Sequence, residues 1–244
     1  MTILIPLLLA VIAPVAPAAD YSAVTVEPQP VSPALQLSRI LNSESNIIGD
    51  ADDDQQAVEM MQELFDSDPE MVEMERDYPG IVKQFAEAML PIINKSSLER
   101  LPKLQASQAA LYQDTFTDAE LTILIEFYSS PTGRKLVAQT LDTVGFDTTM
   151  AEIKQSPNLE YSAASTVADT RAAGAKIATG MDRQDQLILA EFGRSGLMPK
   201  LQAMALKTHQ IVIDWNNEYA PGEEAALDAA IETILDKRME SIDE

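Results

Sequence analysis

The chain has 244 residues, and its 17 Lys and Arg stand against 39 Asp and Glu for a formal net charge of −22. Such a balance repels nucleic-acid phosphate and anionic lipid head groups, which excludes both as partners. Cys is absent, which rules out disulfides, thiolate metal sites and catalytic thiols. With 46% apolar residues but only 5% aromatics and 9 Gly, the composition suits neither a wholly disordered nor a β-rich chain.

Residues 3–15 form an apolar run shorter than the roughly 20 residues of a membrane-spanning helix, and Ala16-Pro17-Ala18 follows as a small-residue cleavage pattern. Residues 1–18 are therefore expected to be a signal peptide. The mature chain would begin at Ala19 or Asp20, be periplasmic or secreted, and have no stable membrane insertion. Met1-Thr2 lacks the usual basic residue, so an uncleaved anchor or a wrongly assigned start codon is the alternative. Residues 19–33, with Pro28, Pro30 and Pro33, read as a flexible leader.

From Ala34 onward the apolar spacing is helical. Leu35, Leu37, Ile40 and Leu41 mark a first helix. An acidic break at 49–54 precedes a second, marked by Val58, Met61, Leu64 and Phe65. Asp68-Pro69 restarts a helix, Tyr78-Pro79-Gly80 interrupts it, and residues 81–93 continue with Phe85, Met89 and Ile92 inward. Ser96-Ser97-Leu98-Glu99 reads as a capping box that opens a further helix toward Tyr112. Later, Leu136, Val137, Leu141 and Val144 lead to a break at Gly145, and Ser156-Pro157 opens a helix ending near Gly180. Helices at 197–219 and 221–239 close the chain, and no run alternates as a strand would. The expected fold is all-α, a multi-helix bundle with an N-terminal half at 34–145 and a C-terminal half at 146–244.

Residues 116–135, FTDAELTILIEFYSSPTGRK, carry the densest local signals. Thr117 and Glu120 form a capping box, with Phe116 and Leu121 placed as a hydrophobic staple. The helix runs to Tyr128. Ser130 then caps a new one whose first residue, Pro131, needs no N–H. A related unit recurs at a constant spacing of 65 positions (Glu126 to Glu191): Ile188, Leu189, Phe192, Ser195, Lys200, Leu201 and Ala203 repeat their counterparts. Asp182 and Asp185 stand for Thr117 and Glu120 and keep the acidic capping roles. A true repeat would pack with approximate two-fold symmetry and leave a natural groove at the seam; chance similarity between leucine-bearing helices is the alternative.

Phe116-Thr117-x-x-Glu120-Leu121 followed by Phe127-Tyr128-x-Ser130-Pro131-x-Gly133-x-Lys135 resembles the signature of the bacterial family catalogued as domain of unknown function 2059, over about residues 85–142. The resemblance implies an exported helical protein and supplies no activity. The second copy departs from the signature, with Gly193 for Tyr128 and Gly196 for Pro131.

Little in the sequence carries chemistry. His209 is the single His and sits at helical spacing between Leu206 and Ile213, so a packing or surface role outweighs a catalytic one. Asp50-Ala51-Asp52-Asp53-Asp54 opens like an EF-hand loop, but Gln55 and Met61 replace the Gly and Glu that calcium needs. Glu120 and Glu126 do not share a helical face, and no Gly-rich phosphate loop exists. Met60, Met61, Met71 and Met74 are expected to fill the core.

The expected motif surface is Glu126, Phe127, Tyr128, Ser130, Pro131, Gly133 and Lys135. Glu126 and Lys135 are expected to clasp across their corner, as are Glu191 and Lys200. The competing readings have the four separately solvated, or Lys135 and Lys200 reaching into a shared groove for an anionic ligand. No catalytic residue, cofactor or metal is assigned, and the oligomeric state is not specified. The expected function is an exported, non-catalytic helical binding or scaffold module of the bacterial envelope, acting on a protein segment or an apolar small ligand. The alternative is a hydrolase using Asp and Glu carboxylates in a cleft between the halves.

Overall fold

A computed structural model describes residues 31–49, 51–143, 147–156 and 161–240. Among them run twelve helices and no strand: α1 Pro33–Leu41, α2 Glu44–Ile48, α3 Ala51–Phe65, α4 Pro69–Asp77, α5 Ile81–Thr115, α6 Asp118–Ser129, α7 Pro131–Thr143, α8 Asp147–Gln155, α9 Ala163–Gly180, α10 Arg183–Gly193, α11 Met198–Asn216 and α12 Glu223–Glu240. The expected signal segment, the expected leader up to residue 30, Asp50 of the acidic run, and the expected break at Gly145 and opening at Pro157 lie outside the described residues.

Most boundaries follow from local chemistry. Ser32, Ser43, Asp68, Thr117, Ser162 and Asp182 each accept a hydrogen bond from the first turn of the helix they precede. Gly80 is left-handed at φ 85°, and Glu75 caps α5 from outside by accepting from the N–H groups of Gly80 (2.6 Å) and Val82 (3.1 Å).

The predicted capping box at Ser96 does not form. α5 runs unbroken for 35 residues, with Pro91 and Pro102 inside it. An interior proline costs about 3 kcal/mol in a free helix. Both prolines lie on the exposed face, where the carbonyls they orphan can reach water, and the opposite face stays buried from Ile81 to Tyr112. Tertiary burial outweighs the two breakers. Ser96 and Ser97 are buried mid-helix instead, and Ser96 Oγ donates to Glu223. The short α2 and α8 carry too little periodicity to have been read from sequence.

α5 is the spine. Its N-terminal half packs with α3 and α12 around Phe85, Met61, Phe65 and Leu227. Of the four methionines expected to fill core, Met61 is buried, Met71 and Met74 are partly buried against this cluster, and Met60 is partly buried against a separate cluster around Leu64. Its C-terminal half packs with α1, α6 and α11 around Leu37, Tyr112, Leu121, Leu124 and Met204. Between them Arg100, only 7% exposed, lies under the Trp215 ring and donates to the Trp215 carbonyl; Trp215 Nε1 returns a bond to the Arg100 carbonyl at 3.0 Å. Glu223 sits 4.0 Å from Arg100 Nε and accepts from the Ala220 N–H at 2.7 Å, which ties the start of α12 to the spine. Nothing in the local sequence marks this buried pair, because its partners are separated by over a hundred residues.

Candidate ligand groove at the repeat seam

Both capping boxes form in full: Thr117 with Glu120 at the start of α6, and Asp182 with Asp185 at the start of α10. After α6, Ser130 Oγ donates to the Phe127 carbonyl (2.7 Å) and accepts from the Gly133 N–H (3.0 Å), closing the corner within one residue. Gly133 is required there, since a Cβ on it would lie 2.0 Å from the Phe127 carbonyl oxygen and 2.7 Å from Tyr128 Cα. After α10 the chain instead takes four residues, 194–197, with Gly196 left-handed at φ 80°, before α11 begins.

The predicted clasps across each corner are replaced by exchange between the copies. Lys135 Nζ turns from Glu126 to Asp185, at 2.6 Å, with Asp182 at 3.9 Å; Thr132 Oγ1 donates to the other Asp185 oxygen at 2.8 Å. Lys200 Nζ turns from Glu191 to Glu120 and contacts both its oxygens, at 2.8 and 2.7 Å. Lys135 and Lys200 are counterparts, as are Glu120 and Asp185, so the two bonds are one bond made twice in opposite directions. The physical reason is the path of the helices. α7 packs on α9 while α11 packs on α5, so each lysine is carried to the cap of the other copy. The hydrogen bond from Lys200, then that from the Thr117 N–H, holds the Glu120 carboxyl below its usual range, and Lys135 followed by Thr132 does the same for Asp185.

The axis of this exchange is visible in the aromatics. Phe127 stacks on its own counterpart Phe192, with centroids 3.9 Å apart and planes inclined by 9°. Against Phe192, the outer ring of the stack, opens a groove of about 560 Å³. Its walls hold three sets of counterparts: Leu124 and Leu189, Leu136 and Leu201, Tyr128 and Gly193. Leu37 and Leu41 of α1 border one side, and Thr208 and His209 of α11 another. Burial lowers the His209 pKa, so the ring is neutral at pH 7. A cavity of this size, mostly apolar with a few polar groups, has the dimensions of a small-ligand pocket.

Of the expected motif surface, Tyr128 lines the groove and Phe127 is the buried ring stacked on the groove residue Phe192, whereas Ser130, Pro131 and Gly133 build the corner and Lys135 locks the copies. Glu126 joins none of these contacts. The groove residues of α1 and α11 were missed, because their apolar spacing is that of any packed helix. Among the described residues no group of His, Asp and Glu could hold a metal ion, and no helix is long and apolar enough to cross a membrane.

Residues 102–153 match the family model described as an uncharacterized protein conserved in bacteria, DUF2059. That is the family the 116–135 signature resembles. The DUF2059 match runs from the later part of α5 through α6 and α7 into α8, so it holds one copy of the exchanged unit and stops short of the second. No curated protein and no solved structure matches the chain.

Proposed function

We propose that the chain is an exported, non-catalytic binding module of the bacterial envelope that takes an apolar ligand, a small molecule or a protein segment's side chains, in the groove across the repeat seam. The observation that carries this reading is the groove itself, an apolar opening of about 560 Å³ at the axis of two locked copies. Four carboxylates weigh against a hydrolase that would use them as its acid. A general acid needs a raised pKa, but Glu120, Glu152, Asp169 and Asp185 are all held below the usual range. For Asp169, burial opposes the charge, and the hydrogen bonds from Thr148 and Thr149 outweigh it. Export rests on the signal-like residues 1–18.

Nile red titrated into purified protein should bind saturably with blue-shifted emission. Ala205→Trp, which places a ring into the groove wall, should weaken that binding by about tenfold or more while the helical circular dichroism is kept. Equal titrations for the two proteins would remove the groove as the binding site.

A further inference from the structure

Resting on the groove reading above, we propose that the groove seats an uncharged aromatic ring against Phe192 at Gly193, in the place that a two-fold copy of Tyr128 would fill. The structure carries its own template for that seat. On one side of the axis Tyr128 lies edge-on to Phe127, with centroids 5.0 Å apart and planes at 74°. The exchanged lysines and the Phe127–Phe192 stack relate the copies by an approximate two-fold, so residue 193 is positioned to close the other side against Phe192. That residue is glycine. It lines the groove, and a Cβ built on it meets nothing within 4 Å. The place is therefore open at the mouth of the groove, whose lining Gly193 shares with Leu189, Met198 and Leu201, next to Phe192, an aromatic with an edge-on partner, Tyr128, on one side only.

Charge complementarity selects the kind of ring. The lining contains no Asp, Glu, Lys or Arg, and its one basic group, His209, is held neutral by burial. A cationic ring would find no counter-ion there, and an anionic one would approach a molecule of net charge −22. Tyr128 and His209 line the groove, and neither side chain has a hydrogen-bond partner among the described residues. Both can pair with a hydroxyl on an incoming ring. A neutral phenol fits each requirement: an aromatic face or edge for Phe192, apolar walls for the ring, and a hydroxyl for the unpaired polar groups.

The test compares p-cresol with methylcyclohexanol, its saturated analogue, as competitors of bound Nile red on the wild-type protein and on Gly193→Tyr. Edge-on aromatic pairing predicts that p-cresol displaces the dye at roughly threefold to tenfold lower concentration than the saturated probe. Gly193→Tyr should unfold at or above the wild-type temperature, because the added ring enters open space, and should no longer take p-cresol. Equal potency of the two probes overturns the ring assignment and leaves the groove standing. Wild-type affinity for p-cresol in Gly193→Tyr overturns the seat. Absence of any Nile red binding overturns the groove reading as well. The two-probe comparison uses wild-type protein alone, so misfolding of the variant cannot shelter the proposal.

Discussion

The two copies of the helix–corner–helix unit share a lock and differ in everything around it. In the first, Leu121 and Leu124 of α6 are buried in the cluster with Leu37 of α1 and Tyr112 of α5, Phe127 is buried against Phe192, and the corner is so tight that a Cβ on Gly133 would run into backbone. In the second, Asp185 is the one buried residue of α10, Leu187 is 60% exposed, and the corner is four residues wide. What both keep is the acidic cap, the stacked phenylalanine and the lysine that crosses to the other cap. The contrast teaches that the exchange sets the arrangement, while burial of the first helix is dispensable. The less buried copy carries glycine at 193 where the other carries Tyr128, and the space at that glycine is open.

If that is so, equivalent substitutions should differ in size between the copies. Leu124→Ala removes a side chain with no exposed surface and should cost about 3 kcal/mol, whereas Leu189→Ala, at a partly exposed position, should cost about 1 kcal/mol. Urea midpoints on the two variants decide this, and equal losses would mean that the copies are packed alike.

Glycine gives the next largest contrast, and it changes sign. Gly133→Ala drives a Cβ into the backbone of Phe127 and Tyr128 and should cost about 2 kcal/mol, while Gly193→Ala enters open space and should stabilise by about 0.5 kcal/mol. Thermal unfolding of both variants should therefore move in opposite directions. Loss of the first cap is smaller still: Thr117→Ala should cost about 1 kcal/mol, and Pro131→Ala less.

These expectations show how much of the molecule could be read from residues alone. Helix class, the capping boxes at Thr117 and Asp182 and the corner at Ser130-Pro131 are local, decided by groups within four residues of one another, and they stand in the structure as their side chains dictate, whereas the equally local box at Ser96 is overridden inside α5. The partner of Lys135 is not local. A chain folded at one corner brings Glu126 within reach, but the packing of α7 on α9 carries the lysine to Asp185, and nothing within either unit encodes that choice. The unbroken α5 was hidden for the same reason, since two prolines speak for a break and only the buried face speaks against it. The departure at Gly193 was visible as a mismatch between copies. Its meaning required the axis.

The exchange also has a pH signature. Glu120 and Asp185 have lowered folded-state pKa values, from Lys200 and Lys135 respectively, so their contribution is present above the unfolded value near about 4 and is lost as pH falls through the folded one. Lys135 is raised by Asp185, so its contribution holds below the ordinary 10.5 and is lost as pH rises through the folded value. Urea midpoints measured from pH 7 down to pH 2 should fall less steeply for the Glu120→Gln, Asp185→Asn double variant than for wild type. Parallel acid limbs would show that the two carboxylates are not coupled to folding.

The exchange itself is tested most directly by two double-mutant cycles that share one lysine, Lys135 with Asp185 and Lys135 with Glu126. The crossed arrangement predicts a favourable coupling for Lys135 with Asp185, matched by Lys200 with Glu120, and a coupling indistinguishable from zero for Lys135 with Glu126. A favourable coupling to Glu126 together with none to Asp185 would contradict it, because each lysine would then serve its own corner and the two copies would not be locked across the seam.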